Sequence, residues 1–368
     1  MAPDVLIVGA GIVGCAAGEA LVRQGARVAF VDPEGVGLGA TQASAGMLTP
    51  YSEGLHHPVL EALGLRSLWL WDGFVERLFD GEVPAQVYAR TGSLEIALDD
   101  AEATELQAVA SAHAARGVGS RYLKGADARQ LERDIATSCV GALLTPAHGY
   151  ASASAVTGAL WRACEARGAH LTRASVERIE PTATGIVVHT PEGPLTAATV
   201  VLAAGSWAGQ IAIDGVDPLP IHPVRGQLLY LKWPEPAVGR IVWGSRCYAV
   251  PWPDGTLLVG ATLEDVGFDA RATVAGVRDL LDGVCELVPR AWQAAFVGVR
   301  VGLRPGSPDA LPVIGRSARV PGLVYATGHY RNGVLLAPLT GELVARVVAG
   351  DESDAALALV SPRRLGEY

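Results

Sequence analysis

The stretch from Val5 to Val22 constrains the fold of this chain more than any other: it is apolar apart from Glu19, yet glycine recurs at positions 9, 11, 14 and 18. Val5-Leu6-Ile7-Val8 reads as a buried strand, and Gly9-x-Gly11-x-x-Gly14 as a tight turn opening a helix that runs to about Gln24. Ala26 to Val31 reads as a second strand. In such a βαβ unit the glycines let the backbone approach a pyrophosphate, and the helix N-terminus offers it unpaired N–H groups and the positive end of a dipole. Asp32 ends the second strand 18 positions after Gly14, near the spacing at which an acidic residue hydrogen-bonds a ribose hydroxyl. Strand, turn, helix and acid together point to a bound dinucleotide, which the glycine motif alone would indicate only weakly.

The same stretch raises the question of a membrane span or a signal peptide. Four glycines within it, no basic segment before it and no small-residue cleavage site after it argue against both, so no membrane partner is expected. The five cysteines are scattered, odd in number and never paired as C-x-x-C, which argues against a disulfide framework or zinc knuckle and suits a reducing, cytoplasmic setting. The histidines, including His56-His57, show no metal-ligand spacing, and no metal is expected. His57, directly before Pro58, reads as a surface residue. A net charge of -9 leaves no cationic excess for neutralising phosphates, so nucleic acid is not expected as a partner.

Elsewhere the 368 residues alternate in character. Helical patterns cover Val59 to Phe79, Glu102 to Arg116, Ala153 to Arg167 and Val334 to Val348; strand-like runs at Thr199 to Ala203 and Leu323 to Ala326 each end near a glycine. Leu219 to Val301 differs, with short β-branched or aromatic runs broken by Pro and Gly as in an antiparallel sheet. Nucleotide-type signals therefore stand at the beginning, middle and end of the chain, and two discontinuous, interwoven domains are expected. Trp69-Leu70-Trp71 is expected to pack its helix against the core.

The glycine fingerprint serves NAD and FAD alike. Two segments favour FAD. Gly37 to Met47 is a loop of small and hydroxyl residues suited to a second phosphate and a bulky ring, and Gly328-His329-Tyr330-Arg331-Asn332-Gly333 precedes a helix whose N-terminus would stabilise negative charge on a flavin.

Further motifs follow in order: Thr41-x-x-Ser44-Ala45-Gly46-Met47-Leu48, Val224-x-Gly226-Gln227, Cys247-Tyr248-x-Val250-Pro251, Val259-Gly260-Ala261-Thr262, Gly302-Leu303-Arg304-Pro305 and Gly328-His329-x-Arg331-Asn332-Gly333. With the fingerprint, they resemble the glycine oxidase group within the D-amino-acid oxidase family of flavoproteins over nearly the whole chain. The resemblance implies an α/β fold (α+β overall): a Rossmann-like FAD-binding domain, expected from 1–80, 147–218 and 302–368, interleaved with an antiparallel-sheet substrate domain from 81–146 and 219–301.

Residue reading and resemblance together assign cofactor contacts to Gly9, Gly11, Ile12, Val13 and Gly14, to Asp32 and Pro33, and to Ala40, Thr41, Ser44, Ala45, Gly46 and Met47. Val176, Ala204, Gly205 and Trp207 follow in mid-chain, and Gly328, His329, Arg331, Asn332, Gly333, Val334 and Leu335 near the end. The resemblance makes Arg304 the anchor of a substrate carboxylate, a role its planar two-pronged donor suits, with Tyr248 a pocket wall and Arg331 a further candidate. Leu263 stands where the family's glycine oxidases can carry Met. No cysteine lies between Arg304 and Pro338, so FAD is expected to be held non-covalently.

No obvious general base stands near the inferred pocket. Hydride transfer from Cα of a small amino acid to flavin N5 needs mainly positioning and desolvation, which is consistent with no catalytic acid or base being assigned. The resemblance further implies molecular oxygen as acceptor, hydrogen peroxide and an imine as products, a homo-oligomer, and an imine that either hydrolyses or passes to thiazole synthase for thiamine. Three readings remain open: a D-amino-acid, sarcosine or proline oxidase or dehydrogenase, an NAD-dependent dehydrogenase, and a non-catalytic flavoprotein subunit.

Overall fold

Val5–Val8 lies inside a six-stranded sheet, parallel to Thr199–Leu202 on one side and Val28–Val31 on the other. His170–Thr172 and Leu323–Thr327 extend the parallel set, and Val313–Arg316 closes one edge antiparallel. The computed structural model describes residues 3–54, 57–233 and 237–366, so His56 lies outside the described residues. Val5–Val8 and Val28–Val31 are apolar at every position because both faces of the sheet are covered. One face carries the helices Ile12–Arg23, Pro58–Leu78, Ala153–Glu165 and Ala337–Val348, and the other a small four-stranded sheet that includes Arg178–Thr182 and Gly185–His189. Parallel alignment brings the C-terminal ends of three strands from distant parts of the chain to one edge. The loops that follow them, 9–11, 203–207 and 328–336, become neighbours there.

The second large sheet has eight strands, in the order Ala295–Gly306, His222–Lys232, Thr256–Gly260, Tyr248–Pro251, Ile241–Trp243, Ser93–Ala97, Gly141–Thr145, Arg121–Lys124. Its ladders are antiparallel except between Ile241–Trp243 and Ser93–Ala97, which run parallel. Those two strands come from separate chain segments, so no hairpin dictates their direction. Ala295–Gly306 continues without a break through 301/302, the expected domain junction, and pairs with His222–Lys232 along its length. Within this section a helix, Val274–Leu287, breaks the all-strand expectation. Its apolar residues at 277, 280, 281, 284 and 287 follow helical spacing and pack on the sheet.

The tryptophan pair divides. Trp71 is fully buried and its Nε1 donates to the Leu335 carbonyl at 3.0 Å, whereas Trp69 is 79 % exposed. Two residues apart on a helix point to nearly opposite sides, so both cannot face the core. His57 is also tied in: its Nδ1 accepts from the Leu60 amide and its Nε2 lies 3.1 Å from the Asp309 carbonyl oxygen.

Candidate active site

The shared edge of the parallel sheet opens into a cavity of about 700 Å³ that reaches across to the eight-stranded sheet. At the nucleotide end the three glycines of the fingerprint differ in what they do. Gly9 has φ +107, and a Cβ there would collide with the Ala203 carbonyl; a Cβ on Gly14 would collide with the Gly9 carbonyl, so Gly14 lets helix and strand touch. Gly11 lines the cavity, and its nearest neighbour for an added Cβ is Thr41 Oγ1 at 3.4 Å. The helix Ile12–Arg23 has no side-chain cap at Gly11, but Thr41 Oγ1 accepts from the Ile12 amide at 3.1 Å. Asp32 is engaged at both oxygens: Oδ2 accepts from the Ala10 amide (2.8 Å), Oδ1 from the Glu34 and Gly35 amides (2.9 Å each). It thereby locks the two nucleotide loops together, and Oδ2 keeps a further lone pair.

The middle of the cavity is walled by the loop 38–47 and by 203–207. Gly302 explains how that loop reaches the sheet, since a Cβ there would lie 2.8 Å from Ala43 Cβ. Gly46, at φ +73, abuts the Ala151 carbonyl. Opposite, His329 is buried and lies 2.9 Å from Thr340 Oγ1, and burial lowers its pKa to about 3, so it is neutral. Tyr330 occupies the left-handed region at φ 48, held there by its amide's bond to the Pro305 carbonyl at 2.9 Å.

The far end is built from side chains. Arg304, near the end of Ala295–Gly306, lies over Gly226 on the neighbouring strand, where any Cβ would collide with the guanidinium. Its Nη1 donates to the carbonyls of Thr262 (3.0 Å) and Arg225 (3.3 Å), while no described residue accepts from Nε or Nη2. Burial disfavours its charge, with Tyr248 opposing that effect and Arg331 adding to it; a guanidinium stays protonated regardless. Tyr248 is buried against Gly260, again possible only because that residue lacks a side chain. Burial raises its pKa, which keeps the phenol a hydrogen-bond donor. Arg331 Nη2 donates to Glu53 Oε1 at 3.1 Å.

The cavity lining includes nearly all of the sequence-derived candidates, from Ile12, Val13, Pro33, Ala40 and Val176 to Trp207, Asn332, Gly333 and Val334. Four stand elsewhere. Gly14 and Gly328 sit behind the lining as packing positions, and Leu335 is buried with its carbonyl held by Ser67 Oγ (2.6 Å) and Trp71 Nε1 (3.0 Å). Leu263 is 62 % exposed and turned away, because in the extended segment 262–264 Thr262 and Glu264 face inward to Gln227 and Arg225.

The family model described as "DAO: FAD dependent oxidoreductase" matches residues 4–347. The chain belongs to this family. FAD fits the cavity by the structure's own measure: the open side of Gly11 at an uncapped helix N-terminus suits a pyrophosphate, and the small-residue loop 38–47 leaves room for a wide ring. The chain is 35 % identical to glycine oxidase of Geobacillus kaustophilus, covering 98 % of this chain and 97 % of that one. A crystal structure of glycine oxidase from Geobacillus kaustophilus superposes with a TM-score of 0.93 at 34 % identity over 100 % of this chain and 99 % of the other. This chain is also 33 % identical to the bifunctional protein ThiO/ThiG of Nostoc, over 97 % of this chain and 54 % of that longer protein. Iminodiacetate oxidase from Chelativorans matches with a TM-score of 0.89 and 29 % identity over 97 % of this chain and 98 % of that one. Among the described residues no helix is long and apolar enough to cross a membrane, and no group of three or more His, Cys, Asp or Glu side chains is placed to hold a metal.

Within this FAD-dependent family frame, two features escaped sequence reading. Glu53 sits in the cavity 278 positions from its partner Arg331, with no motif around it. The roles of Gly226 and Gly302 also surface only once their strands are paired, although both lie in recognisable motifs.

Proposed function

We propose that this flavoenzyme oxidises glycine or a similarly small amino acid at Cα–N, releasing an imine that hydrolyses to glyoxylate and ammonia, with molecular oxygen taken to hydrogen peroxide. The observation that carries this reading is the free Nε–Nη2 edge of Arg304, which shares the lining of the cavity with Tyr248. A guanidinium edge and a neighbouring phenol donor suit one carboxylate. Arg304 binds it through two parallel hydrogen bonds, Tyr248 fixes its rotation, and Gly226 and Gly260 bring both groups close. FAD, when bound, supplies the acceptor for the hydride leaving Cα. The amine reacts neutral, and the cavity holds it there without a base acting on carbon.

FAD is held non-covalently in this reading, by the cavity residues from Gly9 to Val334 named above. The likeness to ThiO/ThiG proteins supports a second fate for the imine, handover to thiazole formation in thiamine synthesis. The test is oxygen consumption by purified yellow protein across glycine, sarcosine, D-alanine, D-proline and a carboxylate-free amine. Glycine as the substrate with the highest kcat/KM supports the reading; no carboxylate-bearing substrate above the carboxylate-free amine sinks it.

A further inference from the structure

The arginine end of the cavity holds more positive charge than one carboxylate requires. Arg304 and Arg331 carry one unit each, and Glu53 is the acidic group set against them, its side chain 11 % exposed and paired to Arg331 at 3.1 Å. Glu53 ends the short helix Pro50–Glu53, its amide bonded to the Thr49 carbonyl at 3.0 Å, and it acts electrostatically on Arg304 and Tyr248 as well as on Arg331. Two guanidiniums and one carboxylate leave a single net positive charge, which one substrate carboxylate with a neutral amine balances. Burial disfavours the charge of Glu53, and Arg331 and then Arg304 oppose that cost.

We propose that Glu53 is a specificity-determining residue: by occupying Arg331 it confines this site to amines bearing one carboxylate and turns away those bearing a second anionic group. The inference rests on the reading that Arg304 anchors a substrate carboxylate. A second carboxylate on the substrate must either displace Glu53 from Arg331 or lie beside it unpaired. Both options leave a carboxylate without a cationic partner in a partly buried site, so discrimination comes from a repulsive group rather than from an extra attraction. Removing the charge of Glu53 frees a guanidinium fork that fits a second carboxylate.

The experiment compares glycine with iminodiacetate, which is glycine carrying one further carboxymethyl group, on the FAD-loaded enzyme. A turnover-free measurement runs beside it: dissociation constants for acetate and malonate from the shift they cause in flavin absorbance. Glu53→Gln should raise the iminodiacetate-to-glycine ratio of kcat/KM at least tenfold and tighten malonate at least tenfold relative to acetate. Glu53→Asp, which keeps the charge, should stay within about threefold of the wild-type ratios, and Glu53→Gln/Arg331→Gln should lose the gain. Unchanged ratios in Glu53→Gln, or a gain that persists without Arg331, overturn the inference. If Glu53→Gln does not retain FAD, Arg331→Gln reads the same pair from the other side. Glu53 left unpaired should then raise KM for glycine at least tenfold more than for a carboxylate-free amine, and equal effects overturn the inference. Wild-type protein that favours no carboxylate-bearing amine would defeat the proposed function itself; glycine oxidation with ratios indifferent to Glu53 would defeat only this inference.

Discussion

The two ends of the cavity are made in different ways. The nucleotide end is backbone: three glycines, a helix N-terminus and the amides of Ala10, Glu34 and Gly35 gathered by Asp32. The opposite end, where we place the substrate, is side chain: Arg304, Tyr248, Arg331 and Glu53, drawn from four separate parts of the chain, with Arg304 fitted against Gly226 and Tyr248 against Gly260. A site built mainly of backbone recognises what every dinucleotide shares, its pyrophosphate, with the Asp32 carboxylate set for a ribose. A side-chain site recognises what distinguishes one substrate from another, and it changes whenever one side chain does. Cofactor binding and substrate choice should therefore be separable by mutation.

Arg304→Ala makes the sharpest cut between the ends. Loss of the fork from a partly dry site should cost about 3–5 kcal/mol, so kcat/KM for glycine falls by roughly three orders of magnitude while the flavin spectrum is kept. Arg304→Lys should restore only part of it, because the charge returns without the paired geometry. Steady-state rates on glycine and on a carboxylate-free amine check this; an equal loss on both would make Arg304 a structural residue instead.

Gly11→Val attacks the opposite end. Its side chain would enter the cavity where the pyrophosphate is expected, and FAD affinity measured by titration of the apoprotein should fall about a hundredfold or more, comparable to losing two good hydrogen bonds to charged groups. Protein that purifies with full FAD content would misplace the nucleotide site.

Gly226→Ala should act on the substrate end alone. Its Cβ displaces the Arg304 guanidinium, and a misplaced anchor is expected to raise KM for glycine about tenfold with FAD content unchanged. Loss of FAD with no change in KM would break the separation of the two ends.

The smallest effect concerns the support behind Arg304. Burial alone would raise the pKa of Glu264, but hydrogen bonds from Arg225, Thr262 and Gln227 bring it down from 4.5 to about 2. A carboxylate with a depressed folded pKa contributes stability fully above its unfolded value and loses it as pH falls through its folded value. Urea unfolding between pH 4.5 and 2 should accordingly show less acid destabilisation in Glu264→Gln than in the wild type, by about 1 kcal/mol because solvent screens the pair. Parallel curves would mean the network contributes nothing in solution.

The sequence by itself determined the nucleotide end. Positive φ at Gly9 and the touch of Gly14 on Gly9 are local demands that only glycine meets, Gly11 keeps the cavity face open, and the three recur at fixed spacing along one βαβ unit. The flanking strands were equally legible, because a sheet covered on both faces needs unbroken apolar runs. Arg304 and Tyr248 could be singled out from their motifs, though not the surfaces they lie against. Tertiary structure alone decided the rest: that Glu53 meets Arg331, that Gly226 underlies Arg304, that Leu263 faces outward and Trp69 stands clear of the core that buries Trp71. Those outcomes depend on strand register and on which loops the parallel sheet brings to one edge. Contacts across hundreds of residues leave no period or spacing in the chain that makes them.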